Sequence, residues 1–135
     1  MIPPRVEYER FIYSIARDFQ IVEKSSLHFF STSAAAGMLK GMVWFRNGLT
    51  LKVVEVIDFA VGEILDYSYT VYDGEEKIAW YDPQPHPESP ELSETFPHHI
   101  HLPPDIKKNR KPAKGINFHH INLPTLFDAI EKRKP

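Results

Sequence analysis

The chain has no cysteine among its 135 residues, which excludes disulfide bridges, thiolate metal centres and a cysteine nucleophile. It also lacks a long hydrophobic run. Its apolar stretches fall far short of the roughly 18 residues of a membrane span, and the opening MIPPRVEYER does not read as a signal peptide. Charge of one sign is missing too: 16 basic against 18 acidic residues leave a net charge of −2. Any attraction to nucleic acid must therefore be local. With 42% hydrophobic and 25% charged residues, the composition is that of an ordinary globular chain, and the length suits one domain better than two. Together these absences point to a single cytoplasmic domain, 1–135, without a membrane partner.

What the chain does have is histidine and proline, gathered in one place. The stretch Tyr81–His101, YDPQPHPESPELSETFPHHIH, holds four of the seven histidines: His86, His98, His99 and His101. Pro83, Pro85, Pro87 and Pro90 fix backbone angles and remove donors in its first half, so it reads as a stiff loop presenting imidazoles. Histidine titrates nearest neutrality, which suits proton transfer, metal binding or phosphate contact.

Around this stretch, periodicity predicts an α+β domain. Its single antiparallel sheet has about five or six strands in meander order, with the N- and C-terminal helices packed on one face. Tyr8, Phe11, Ile12, Ile15 and Phe19 recur at helical spacing after Pro3 and Pro4, predicting one amphipathic helix over 1–20. Strands are expected within 26–82. The first candidate, SLHFFST, carries His28 as a surface residue. Asn47-Gly48 then predicts a hairpin between Met38–Arg46 and Leu49–Asp58. A two-residue loop there pairs Trp44 with Leu51, Met42 with Val53, and Lys40 with Glu55 as an ion pair. Phe45 and Val43 then lie on the opposite face. A second hairpin joins Ile64–Tyr72 to Lys77–Asp82, with Tyr67, Tyr69, Ile78 and Trp80 sharing one face.

Residues 83–115 read as a Pro/His-rich and basic loop. Its end carries Lys107, Lys108, Arg110, Lys111 and Lys114 against one acid, a candidate phosphate-binding stretch or simply a solvated loop. GINFHHI suggests a short strand bearing His119 and His120. Asn122 is placed to cap a last helix, 122–133, whose buried stripe is Leu123, Leu126, Phe127 and Ile130. No repeat or second domain is visible.

Three chemical readings of the histidine stretch stay open. In the first, His99 and His101, two apart and on one side if extended, hold a metal together with His86 or Asp82. The second is metal-free phosphodiester cleavage. His98 and His101 act there as general base and acid, supported by His86, Asp82 and Tyr81, with Lys107, Lys108, Arg110 and Lys111 on the phosphate and no cofactor. In the third, tyrosine, aspartate and imidazoles form a network that pins the loop to the sheet.

Tyr67-Ser68-Tyr69, Tyr81-Asp82, Pro85-His86-Pro87 and Phe96-Pro97-His98-His99-Ile100-His101 resemble the TumE-type toxin family of prokaryotic toxin–antitoxin systems, over roughly residues 40–131. The FPHHxH element is the specific part. The resemblance implies a small cytosolic toxin, neutralised by a cognate helix-turn-helix antitoxin from a neighbouring gene. RNA as target and a second copy as partner are further expectations. Trp80 stands where the family usually has a basic residue before its YD, and the basic insert after His101 departs from the pattern.

Overall fold

A computed structural model describes residues 1–83, 98–104 and 109–133. The elements are α1 (Arg5–Ile12), α2 (Ile15–Asp18), β1 (Val22–Ser25), β2 (His28–Ser31), β3 (Ala36–Phe45), β4 (Leu49–Asp58), β5 (Glu63–Asp73), β6 (Glu76–Asp82), β7 (His99–His101), β8 (Arg110–Pro112) and α3 (Leu123–Glu131). Every strand pairing is antiparallel. The sheet runs β1-β3-β4-β5-β6-β7-β8, with β2 on the same flank of β3 as β1. The α+β class and the meander from β3 onward match expectation. The described sheet has eight strands, not five or six. The additional ones, VEKS in β1, HIH in β7 and RKP in β8, are too short and polar to show an alternating pattern.

Strand β4 sets the layers. Leu49, Leu51, Val53, Glu55 and Ile57 are buried on one face, while the residues between them are half-buried or exposed. Tyr8 of α1 reaches that face at Glu55, and Phe127 of α3 packs edge-on against Phe45. The helices thus share one side, and the other side is the open face. The expected single N-terminal helix is broken at Tyr13-Ser14. There the Tyr13 hydroxyl leaves to accept the Phe29 N–H of β2.

Both hairpins depart from the predicted register by one residue, and each departure flips side chains between faces. At the first, the Gly48 N–H donates to the Phe45 carbonyl and Gly48 has φ +91°. That makes a three-residue loop with a left-handed glycine. Val43 consequently faces Leu51, Leu39 faces Glu55, and Trp44 faces Thr50 on the open side. Asn47 favours this loop because its amide holds the Ile130 carbonyl of α3 at 3.0 Å while its oxygen accepts the Leu49 N–H. Glu55 is therefore buried and makes no ion pair with Lys40.

In the second hairpin a bulge lies between Val71 and Tyr72. Beyond it Tyr69 faces Tyr81 and Thr70 faces Trp80, so Trp80 leaves the tyrosine face. Its indole N–H donates instead to Ser68 Oγ at 3.1 Å. Residues 116–122 form no strand. Asn122 does not cap α3 with its side chain. It accepts the Asn117 N–H and donates to the Tyr69 hydroxyl.

Candidate functional site

Pairing of β6 with β7 places Asp82 opposite His99 and Trp80 opposite His101. Residues two apart on a strand point the same way, so all four side chains meet on the open face of the sheet. His99 Nε2 lies 2.7 Å from Asp82 Oδ1, the two Nε2 atoms are 2.9 Å apart, and His101 Nε2 is 3.5 Å from the same carboxylate oxygen. The site is buried: Asp82, His99 and His101 are 4%, 1% and 4% exposed. Trp80 stacks on the His101 ring at 4.9 Å and sets its plane. The expectation that an extended backbone aligns His99 with His101 holds. The expectation that they sit in a loop does not, because β7 lies between β6 and β8.

Protons alone satisfy this arrangement poorly. If His99 Nε2–H donates to Asp82, then His101 Nε2 must be bare to approach it, which puts the His101 proton on Nδ1. That atom is buried with no hydrogen-bond partner among the described residues. The opposite tautomer aims two N–H groups at one another. A buried donor left unmet costs about 1–3 kcal/mol. Asp82, His99 and His101 are also the chemical types that ligate a transition metal, with their ligand atoms all within 4.8 Å of one another.

His98 belongs to the other face. Its Nδ1 is 2.6 Å from the Tyr67 hydroxyl, and its ring stacks on Tyr67 and meets Phe118 edge-on. Burial pushes its pKa below the ordinary histidine value, helped by the charges of His119 and His99. Burial likewise pushes the Tyr67 hydroxyl up, with Asp82 and Asp66 adding to it. Tyr81, facing Tyr69 across the hairpin, is also on the helix side, its hydroxyl raised by burial against a lowering from Arg133. The structure thus brings His101 together with Asp82 and His99, and separates that group from His98 and Tyr81. His98 and His101, expected to flank one phosphodiester as base and acid, stand on opposite faces of the sheet. His86, Lys107 and Lys108 lie outside the described residues. Arg110 pairs with His101 and shares its face, whereas Lys111 pairs with Ile100 and points the other way.

Two features escaped the sequence reading. One is the buried Glu55 with its tyrosines. The other is a cross-strand row on the open face, Met42–Lys52–Thr70–Trp80–His101–Arg110, each residue the register partner of the next. Lys24 lies over Trp44 at 4.8 Å and Lys77 over Trp80 at 5.4 Å, and exposed Lys40 belongs to the same face. Strand alternation contains this row, but only once both registers are known.

No described helix is long and apolar enough to cross a membrane. A family model described as Toxin TumE matches residues 12–134, and the chain belongs to that family. Searches of curated proteins and of solved structures found no match.

Proposed function

From membership of a toxin family, we propose that the chain is the toxin of a toxin–antitoxin pair, acting in the cytoplasm on RNA and held in check by a cognate helix-turn-helix antitoxin. The bond broken is a phosphodiester, and the reacting centre is the β6–β7 pair where Asp82, His99 and His101 converge. The observation that carries this reading is the placement of that centre on the same sheet face as Lys24, Lys40, Lys52, Lys77 and Arg110. Lysines supply sequence-independent phosphate attraction, and Arg110 beside His101 supplies charge for the phosphate as it reacts. Cleavage forms a bond from the ribose 2′-oxygen to phosphorus and breaks the bond to the 5′-oxygen. A bare imidazole of the cluster accepts the 2′-hydroxyl proton, and the 5′-oxygen takes a proton from the resulting imidazolium or from water as it leaves, giving a cyclic phosphate and a free 5′-hydroxyl.

A second reading draws on the burial of His99 and His101: the cluster is a structural pin, and the chain acts by binding a protein partner. Two measurements separate them. Expression in cells without the antitoxin should arrest growth, and His99→Ala, His101→Ala or Asp82→Asn should relieve the arrest. Incubating the purified chain with RNA, with and without a chelator, should give cleavage that the same substitutions remove. Undiminished arrest by all three variants, with no RNA cut, supports the pin.

A further inference from the structure

We infer that Asp82, His99 and His101 form a binding site for one divalent transition-metal cation, with zinc the best match. Three unlike observations converge on this. First, the donor set is two imidazole nitrogens and a carboxylate oxygen, a combination that zinc accepts at about 2.0–2.2 Å per bond while leaving a further position open. Ligand atoms at that distance and at tetrahedral angles are about 3.3 Å apart. The observed separations of 2.7, 2.9 and 3.5 Å bracket that value, so binding requires movements of only tenths of an ångström.

Second, the two Nε2 atoms aim at one another. Without a cation no proton placement satisfies the centre: one proton serves only one of the contacts at 2.7 and 2.9 Å, two protons oppose one another, and none leaves three lone pairs facing. A cation at the centre receives all three lone pairs together; the relief is at the centre alone, because the His101 proton then sits on Nδ1, which has no partner among the described residues. Third, the geometry is held by backbone pairing. Asp82 and His99 are register partners, His101 is two residues on, and Trp80 stacks on the His101 ring. Ligands held this way on strands lose little further freedom on binding.

The site does not depend on RNA being the substrate. A chain that binds zinc and cuts no RNA keeps this inference and loses only the reading above. A chain that cuts RNA in excess chelator keeps that reading and returns its chemistry to bare imidazoles.

The test uses the full-length chain with any affinity tag removed, stripped with a chelator and dialysed. Zinc is titrated in competition with a chromophoric chelator, and cobalt(II) is added separately for its visible spectrum. One zinc per chain and the intense visible absorption of a low-coordinate cobalt site are expected. Affinity should fall by roughly 100-fold or more in His99→Ala and in Asp82→Asn, since even groups that merely support a ligand are worth 10–100-fold. His98→Ala, one residue away but on the opposite face, should bind as the unmodified chain does. Circular dichroism checks that each variant folds. If His99→Ala unfolds, the near-isosteric Asp82→Asn and the cobalt spectrum of the unmodified chain decide. A folded chain that takes up no zinc at micromolar concentration overturns the inference. So does zinc uptake that His99→Ala and Asp82→Asn leave unchanged, or that His98→Ala reduces equally.

Discussion

On the helix side of the sheet, Glu55 receives the Tyr8 and Tyr69 hydroxyls, each at 2.5 Å, and Tyr69 in turn receives the Asn122 amide at 3.1 Å. On the open side, Asp82 meets two imidazoles whose Nε2 atoms face each other. Both clusters are buried and both centre on a carboxylate, yet their hydrogen-bond accounts differ. Around Glu55 each donor has one acceptor, and the bonds tie α1, β4, β5 and the segment before α3 together. Around Asp82 the lone pairs outnumber the protons that can be placed between them. A satisfied buried network stabilises a fold, whereas an unsatisfied one marks a place where something else binds or reacts.

The sharpest break of this comparison is functional. His101→Ala should lower RNA cleavage by roughly 10²–10⁴-fold, the usual worth of a proton-transfer or metal-held group, while Tyr69→Phe leaves the rate per folded molecule nearly unchanged. Single-turnover cleavage at matched folded fraction measures both. Equal losses would mean that the two clusters are one structural system.

Stability should show the reverse order. Glu55→Ala strands two buried hydroxyls and opens a cavity, for a loss of about 3 kcal/mol, with Tyr69→Phe costing about 1 kcal/mol. Urea unfolding reads these directly, and Asp82→Asn should cost less than half as much as Glu55→Ala. A larger loss at Asp82 would make the open-face cluster the pin.

A smaller effect separates neighbours on β8. Arg110→Gln should weaken binding of single-stranded RNA several-fold and flatten its dependence on log salt by about 0.7, one phosphate's worth. Lys111→Gln, one residue on and facing away, should leave the slope alone. Equal slopes for the two variants would detach the open face from RNA.

The smallest effect is in pH. Burial raises the Glu55 pKa above the ordinary glutamate value, outweighing its two tyrosine hydrogen bonds. The folded state holds that proton more tightly than the unfolded one, so the contribution is present below about pH 4.3 and is lost as pH rises through the raised value. His98 has the opposite sign. Its lowered pKa makes a contribution that is present above about pH 6.5 and lost as pH falls through its folded value. Unfolding midpoints followed from pH 3 to 8 should lose the decline below about pH 6.5 in His98→Gln and the decline above about pH 4.3 in Glu55→Gln. Unchanged profiles in both variants would place the titration elsewhere.

Much of this molecule was legible in its residues. The meander, the buried stripe of α3, the placement of strands around Asn47-Gly48 and Asp73-Gly74, and the pairing of His99 with His101 follow from periods of two and 3.6 and from turn chemistry. Those signals are local, carried by residues within a few positions of one another. The two one-residue register shifts are not local. Asn47 selects a three-residue loop by holding a carbonyl of α3, which is 83 residues away in sequence. The bulge at Val71/Tyr72 turns Trp80 and Asp82 away from the tyrosine face. Because a strand's side chains alternate, each shift reassigns a whole row, and only the assembled sheet decides that His98 and Tyr81 lie behind it while Asp82, His99, His101 and Arg110 stand in front.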